Sequence, residues 1–141
     1  MSGSTDELEL KARVDDPAAL ESALQRAGAE LVFRGEMQDR RYDRGGSLEV
    51  RDEVLRVRTY RGTASYGVGE EHETRLDDPA AAAEIVGRLG YEVVMQIDRT
   101  IAEYRLAQAA VRIEWYPSMD VLVEVEGEPA AIERPARIAT A

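Results

Sequence analysis

The sequence predicts an α+β fold in which antiparallel β-strands form a polar-lined barrel with helices on its flanks. Three observations carry this: several segments alternate strictly between apolar and charged residues, the charged faces are sorted by sign, and two alanine-rich segments repeat at helical spacing behind Asp-Pro dipeptides. A chain of 141 residues can bury one core, and no linker, repeat or low-complexity tract divides it, so one domain over 1–141 is expected.

Residues 7–14 alternate, with Glu7, Glu9, Lys11 and Arg13 on one face and Leu8, Leu10, Ala12 and Val14 on the other, which is a strand. Asp16-Pro17 supplies an N-cap and a first-turn proline, and Leu20, Ala23, Leu24 and Ala27 recur at helical spacing before Gly28, giving a helix over 17–27. Residues 29–42 read as extended, and Asp43-Arg44-Gly45-Gly46 as the turn of a long hairpin. Over 54–60, Arg56, Arg58 and Tyr60 oppose Leu55, Val57 and Thr59. Past a glycine-containing stretch, Glu71, Glu73 and Arg75 align against His72, Thr74 and Leu76. Asp78-Pro79 then opens a second helix ending at Gly90, with Ala82, Ile85, Val86 and Leu89 as its apolar stripe.

Residues 91–106 form a further strand, 107–110 a hairpin connection, and Val111, Ile113 and Trp115 alternate with Arg112, Glu114 and Tyr116 until Pro117-Ser118. The last strand, 120–126, sets Val121, Val123 and Val125 against Leu122, Glu124 and Glu126. A short helix from Pro129 is expected to fray at Pro135, because proline lacks the N–H that helix continuation needs.

Composition narrows the chemistry. The chain has no Cys and a single His, so thiolate nucleophiles and multi-histidine metal cages are excluded and any metal must be held by oxygen. A formal net charge of −10 argues against binding a nucleic acid polymer, which needs a positive field. No apolar stretch reaches membrane-spanning length, and residues 1–9 carry no apolar signal region, so a soluble cytoplasmic protein is expected. Lys11 is the single lysine among 18 basic residues, the rest being Arg.

An alternating strand ordinarily turns its charged face to water, and that reading stands open for each strand taken alone. Sorting by sign favours another. Like charges two residues apart on a strand repel, and Glu faces opposed to Arg faces across an enclosed lumen would suit a hard cation together with a polyanion.

At Glu7-Leu8-Glu9-Leu10-Lys11 the chain resembles the ExExK signature of the CYTH superfamily, the triphosphate tunnel metalloenzymes. Leu55-Arg56-Val57-Arg58 is similar to that family's paired-arginine strand, Glu71 and Glu73 to its mid-chain acidic pair, and Glu124-Val125-Glu126-Gly127 to its late ExEG strand. Leu89-Gly90-Tyr91 ahead of Arg99 and Tyr104 falls where the family places a helix end and a basic strand. The resemblance implies an eight-stranded antiparallel tunnel, a Mg²⁺ or Mn²⁺ requirement and a small-molecule substrate carrying a triphosphate. By the same resemblance Glu7, Glu9, Glu73, Glu114, Glu124 and Glu126 would face the metal. Lys11, Arg56, Arg58, Arg75 and Arg99 would hold the triphosphate, and Glu9, Lys11 and Glu126 would be catalytic.

The implied activity is hydrolysis of inorganic triphosphate, thiamine triphosphate or a nucleoside triphosphate. A class IV adenylyl cyclase-like conversion of ATP to cyclic AMP and a non-catalytic polyphosphate- or nucleotide-binding module are the alternatives. The chain departs from the pattern where Ser65-Tyr66-Gly67-Val68-Gly69 supplies no Lys, where Ile101 replaces a basic residue, and where the sequence ends at Ala141, short of the family's terminal helix and strand. That shortened end would leave a seam a second subunit could cover, as a homodimer. Arg40 and Arg41 fit an exposed charged turn better than a tunnel mouth, His72 faces away from the acidic pair, and Gly67-Val68-Gly69 lacks the Lys-Ser/Thr of a P-loop.

Overall fold

The alternation read along the chain becomes rows of side chains across a sheet. The computed structural model describes residues 7–61, 67–68 and 76–140, with seven strands, three α-helices and one 3₁₀ turn. The strands are β1 (Leu8–Val14), β2 (Glu30–Asp43), β3 (Leu55–Arg61), β4 (Gly67–Val68), β5 (Glu92–Leu106), β6 (Ala109–Trp115) and β7 (Val121–Gly127). They lie in the order β1-β7-β6-β5-β2-β3-β4. The β1–β7, β7–β6, β6–β5, β2–β3 and β3–β4 pairings are antiparallel. The fold is α+β on an antiparallel sheet, and among the described residues this seven-stranded order is not closed into an eight-stranded barrel. The expected strand carrying Glu71, Glu73 and Arg75 lies outside the described residues, as does His72.

Two compact units make up the chain: residues 1–35 with 99–141, and residues 36–98. In the first, register converts sequence pattern into layers. Leu10 faces Val125, which faces Val111, which faces Tyr104; Ala12, Val123, Ile113 and Ala102 form the next row. Apart from Leu10 and Ala12, which are partly buried, every member of these rows is fully buried. Each Val or Ile so buried is worth about 1.5–3 kcal/mol.

Helices α1 (Pro17–Arg26) and α3 (Pro129–Thr140) cover this apolar face. The Asp16 carboxylate accepts from the Ala19 N–H at 3.1 Å, α1 lays Leu20 and Leu24 on the core, and Gly28 ends it at φ +88°. Helix α3 does not fray at Pro135 but runs on to Thr140 with Pro135 and Ala139 buried. A proline in a helix interior costs about 3 kcal/mol. Packing of α3 on β7, β1, β6 and α1 is what offsets that cost.

In the second unit the expected turn at 43–46 is longer and more ordered. The Asp43 carboxylate accepts from the N–H groups of Arg44, Leu48 and Glu49 at 2.7, 3.0 and 3.2 Å, ahead of the 3₁₀ turn Glu49–Arg51. Those backbone donors, Leu48 first, hold its carboxyl below the usual range. Helix α2 (Pro79–Arg88) forms where its Asp78 cap predicts, yet its apolar stripe does not reach a core: Ile85 and Leu89 are exposed and none of its residues is buried. Periodicity fixed the helix but not what covers it. No helix among the described residues is long and apolar enough to cross a membrane.

Candidate functional site

On the opposite face of β1, β7, β6 and β5 the same register assembles charges. Lys11 lies opposite Glu124, Glu124 opposite Arg112, and Arg112 opposite Glu103, so signs alternate across four strands. Lys11 Nζ is 3.7 Å and Arg112 Nη2 3.0 Å from Glu124 Oε2, and Arg112 Nη1 is 4.0 Å from Glu103 Oε1. One row along, Glu9 lies directly opposite Glu126, like charges that repel unless something neutralises them.

Glu9, Glu124 and Glu126 each offer a carboxylate oxygen within 4.8 Å of the other two. Glu124 is buried, Glu126 half-buried and Glu9 exposed. The Glu126 carboxyl is pushed up to about 7, first by burial, then by its hydrogen bond with Glu7 and the charges of Glu7, Glu124 and Glu9. Burial also raises Glu124, and the charges of Glu9 and Glu114 add to it, against Arg112 and Lys11. Carboxylates crowded this closely are a donor set a hard divalent cation would relieve, and an all-oxygen set suits Mg²⁺ or Mn²⁺.

Glu114 takes a different place. It is 1 % exposed and is held by its own partners, with Arg112 shared between it and Glu124: Arg99 Nε sits 2.7 Å from its Oε2, the Tyr116 hydroxyl donates to the same oxygen at 2.6 Å, and Arg112 Nε lies 3.6 Å from Oε1. Burial pushes the Glu114 carboxyl up, but Tyr116, Arg112, Arg99 and Lys11 together carry it below the usual range. Burial and the Glu114 carboxylate raise the Tyr116 phenol to about 12, and the Arg99 guanidinium lies over its ring, 5.6 Å from the centroid. Glu114 thus neutralises arginines, and its oxygens are not among the three that cluster.

In the second unit Arg56 and Arg58 share a face with Met37, Asp39 and Arg41 of β2. Arg58 donates from Nε and Nη2 to the two oxygens of buried Asp39, at 2.7 and 2.9 Å. Burial works against the Arg58 cation, but Asp39 outweighs it and holds the guanidinium firmly protonated. Glu73 and Arg75 lie outside the described residues.

Sequence reasoning singled out Glu7, Glu9, Lys11, Glu124 and Glu126, which the structure gathers, and Arg99 and Glu114, which it pairs. Arg112, Tyr116 and Asp39 were missed. The signal for the first two was in the alternation, since both stand two residues from Glu114 on its face; Asp39 has a role only once its partner strand is known.

A model of the CYTH domain family matches residues 5–141. Among solved structures, a "putative adenylate cyclase" from Vibrio parahaemolyticus is 18 % identical with a TM-score of 0.80, over 95 % of this chain and 84 % of that one. A Pyrococcus horikoshii protein is 20 % identical at a TM-score of 0.70, over 95 % and 85 % of the two chains. A Hippeastrum "putative adenylyl cyclase", described as having a dominant triphosphatase activity, is 16 % identical at 0.63, over 93 % and 84 %. At such identities the likeness is one of fold. Comparison with curated proteins finds no match.

Proposed function

The chain belongs to the CYTH domain family, and from that membership we propose that it is a metal-dependent hydrolase of a triphosphate-containing small molecule. The observation that carries the reading is the meeting of the Glu9, Glu124 and Glu126 carboxylates within 4.8 Å, beside Lys11 and Arg112. Glu9, Glu124 and Glu126, with Glu7 against Glu126, would hold Mg²⁺ or Mn²⁺. Bound there, the cation would neutralise phosphate oxygens and so favour attack on phosphorus.

The chain's own part is binding and charge. By family resemblance Lys11, Arg56, Arg58 and Arg99 would meet the phosphate oxygens, Lys11 as a compact charge and the arginines as planar forks. Glu73 and Arg75 belong to the same set by family resemblance, and so does closure of the sheet into an eight-stranded tunnel. A water adds to the terminal phosphorus, the bond to the bridging oxygen breaks, and orthophosphate leaves with the shortened polyphosphate. By family resemblance Glu9, Lys11 and Glu126 form the catalytic set around that water. Positioning and neutralisation carry most of the rate. A cytoplasmic location belongs to the same proposal.

Hydrolysis asks for a held triphosphate and water, whereas cyclisation also asks for a seated nucleobase and ribose. A phosphate-release panel of tripolyphosphate, thiamine triphosphate and ATP, with Mg²⁺ or Mn²⁺ and an EDTA control, tests the reading. Cation-dependent release that Glu9→Gln abolishes supports it. Release unaffected by EDTA and by Glu9→Gln rejects it, and cyclic AMP as the product from ATP would establish the cyclase instead.

A further inference from the structure

We propose that the cavity at the β6–β7 turn seats an organic group carried by the triphosphate, a heteroaromatic ring with an N–H donor, so that the substrate is a triphosphate ester and not inorganic triphosphate. The inference rests on the triphosphate reading above and deepens it by naming the substrate class.

Register is the first support. Along the charged face of β7, Glu126 and Glu124 give way at the next position to Leu122, which lies between Arg13 of β1 and Glu114 of β6. The strand's own charges therefore end about 7 Å short of Leu122, the rise of two residues. Leu122 is one wall of a cavity of about 410 Å³, completed by Pro117, Ser118, Met119 and Asp120 of the turn. Small-molecule sites run from about 300 to 1,000 Å³, so the space is of ligand size. A triphosphate held at Glu9, Glu124 and Glu126 and lying toward the turn delivers whatever it is esterified to into that space. Inorganic triphosphate, anionic along its whole length, has nothing to place there.

The lining is the second support. Pro117, Met119 and Leu122 are apolar, and Met119 is 64 % exposed, so the fold itself leaves it uncovered. A thioether packs well against an aromatic ring, and its unbranched chain adapts to the ring's outline. Ser118 and Asp120 bring polar atoms to the same lining. The Asp120 carboxylate lies 3.7 Å from Arg13 Nη1 in an exposed pair, and it keeps acceptor sites with which to take a ring N–H. Apolar walls with a few polar groups to fix orientation are the make-up of a site for a small organic group.

A residue that holds the organic group matters to the ester and not to the bare triphosphate. ATP, thiamine triphosphate and inorganic tripolyphosphate are each titrated calorimetrically, with Mg²⁺, into wild type, Met119→Ala and Asp120→Ala. Met119 stands on an exposed turn, so its truncation should leave the thermal midpoint where it was. Wild type is expected to bind one of the two esters at least tenfold more tightly than tripolyphosphate. Met119→Ala should raise the Kd of that ester roughly tenfold and leave tripolyphosphate unchanged. Asp120→Ala should weaken the same ester roughly three- to tenfold relative to tripolyphosphate, the range of one hydrogen bond. The ester affected identifies the ring, the adenine of ATP or the rings of thiamine. Tripolyphosphate bound as tightly as both esters overturns the inference while leaving the function standing, and so does a Met119→Ala that weakens all three ligands alike or none of them. Wild type that binds none of the three removes the functional reading itself and this inference with it.

Discussion

Glu126→Gln removes a carboxylate whose proton affinity is raised by burial and by the neighbouring Glu7, Glu124 and Glu9. The Glu126 carboxyl stands at about 7 in the folded chain against 4.5 for the free side chain. Folding therefore favours its protonated form. That contribution to stability is complete below about pH 4.5 and is lost as pH rises through about 7. A shift of this size corresponds to roughly 3 kcal/mol, and screening by water at a half-buried group brings the expected effect to about 1 kcal/mol. In EDTA at about pH 8 the Gln variant should then melt roughly 3 °C above wild type, and at about pH 4.5 the two should coincide. Added Mg²⁺ should reverse the order, since a cation at a hundredfold over its Kd adds about 2.7 kcal/mol to a protein that binds it. Melting curves across pH, with and without Mg²⁺, measure all of this. A variant less stable than wild type at alkaline pH in EDTA, or one that Mg²⁺ protects as well as wild type, refutes the reasoning.

Three further outcomes follow from the same contacts. Glu114→Gln removes the buried carboxylate that Arg99 Nε approaches at 2.7 Å and Arg112 Nε at 3.6 Å and should cost about 3 kcal/mol in urea denaturation, more than any single exposed acidic residue. Tyr104→Phe deletes a 2.6 Å hydrogen bond from a fully buried phenol to Glu21, which also pairs with Arg34; about 2 kcal/mol of stability should be lost with turnover unchanged. Asp39→Asn frees Arg58 from its bidentate partner, so the variant should lose about 3 kcal/mol of stability, and a change of less than about 0.5 kcal/mol would show the pair to be incidental.

Much of the fold was legible because a strand with one apolar face must alternate. Residues 7–14, 111–116 and 120–126 each did, and their apolar members became the rows through Val111, Ile113, Val123 and Val125. The helix starts were equally plain, since Asp16-Pro17 and Asp78-Pro79 each cap a first turn. What pattern lacks is register. Nothing local says that Glu124 stands between Lys11 and Arg112, or that Asp39 meets Arg58. Pro135 misled for a related reason: its local cost is real, but packing of the helix against β7 and β1 outweighs it, and packing is not a local property. The stripe of α2 shows the converse, since Ile85 and Leu89 repeat correctly for a helix and lie exposed.

The proposed function requires that carboxylates from β1 and β7 hold a divalent cation. A crystal of the protein grown with Mn²⁺ and tripolyphosphate, with diffraction recorded at the manganese edge, tests it most directly. An anomalous peak is expected in contact with Glu9, Glu124 and Glu126, with a phosphate oxygen on the same ion. Manganese bound elsewhere, with those three carboxylates turned to water and no phosphate near Lys11, would contradict it.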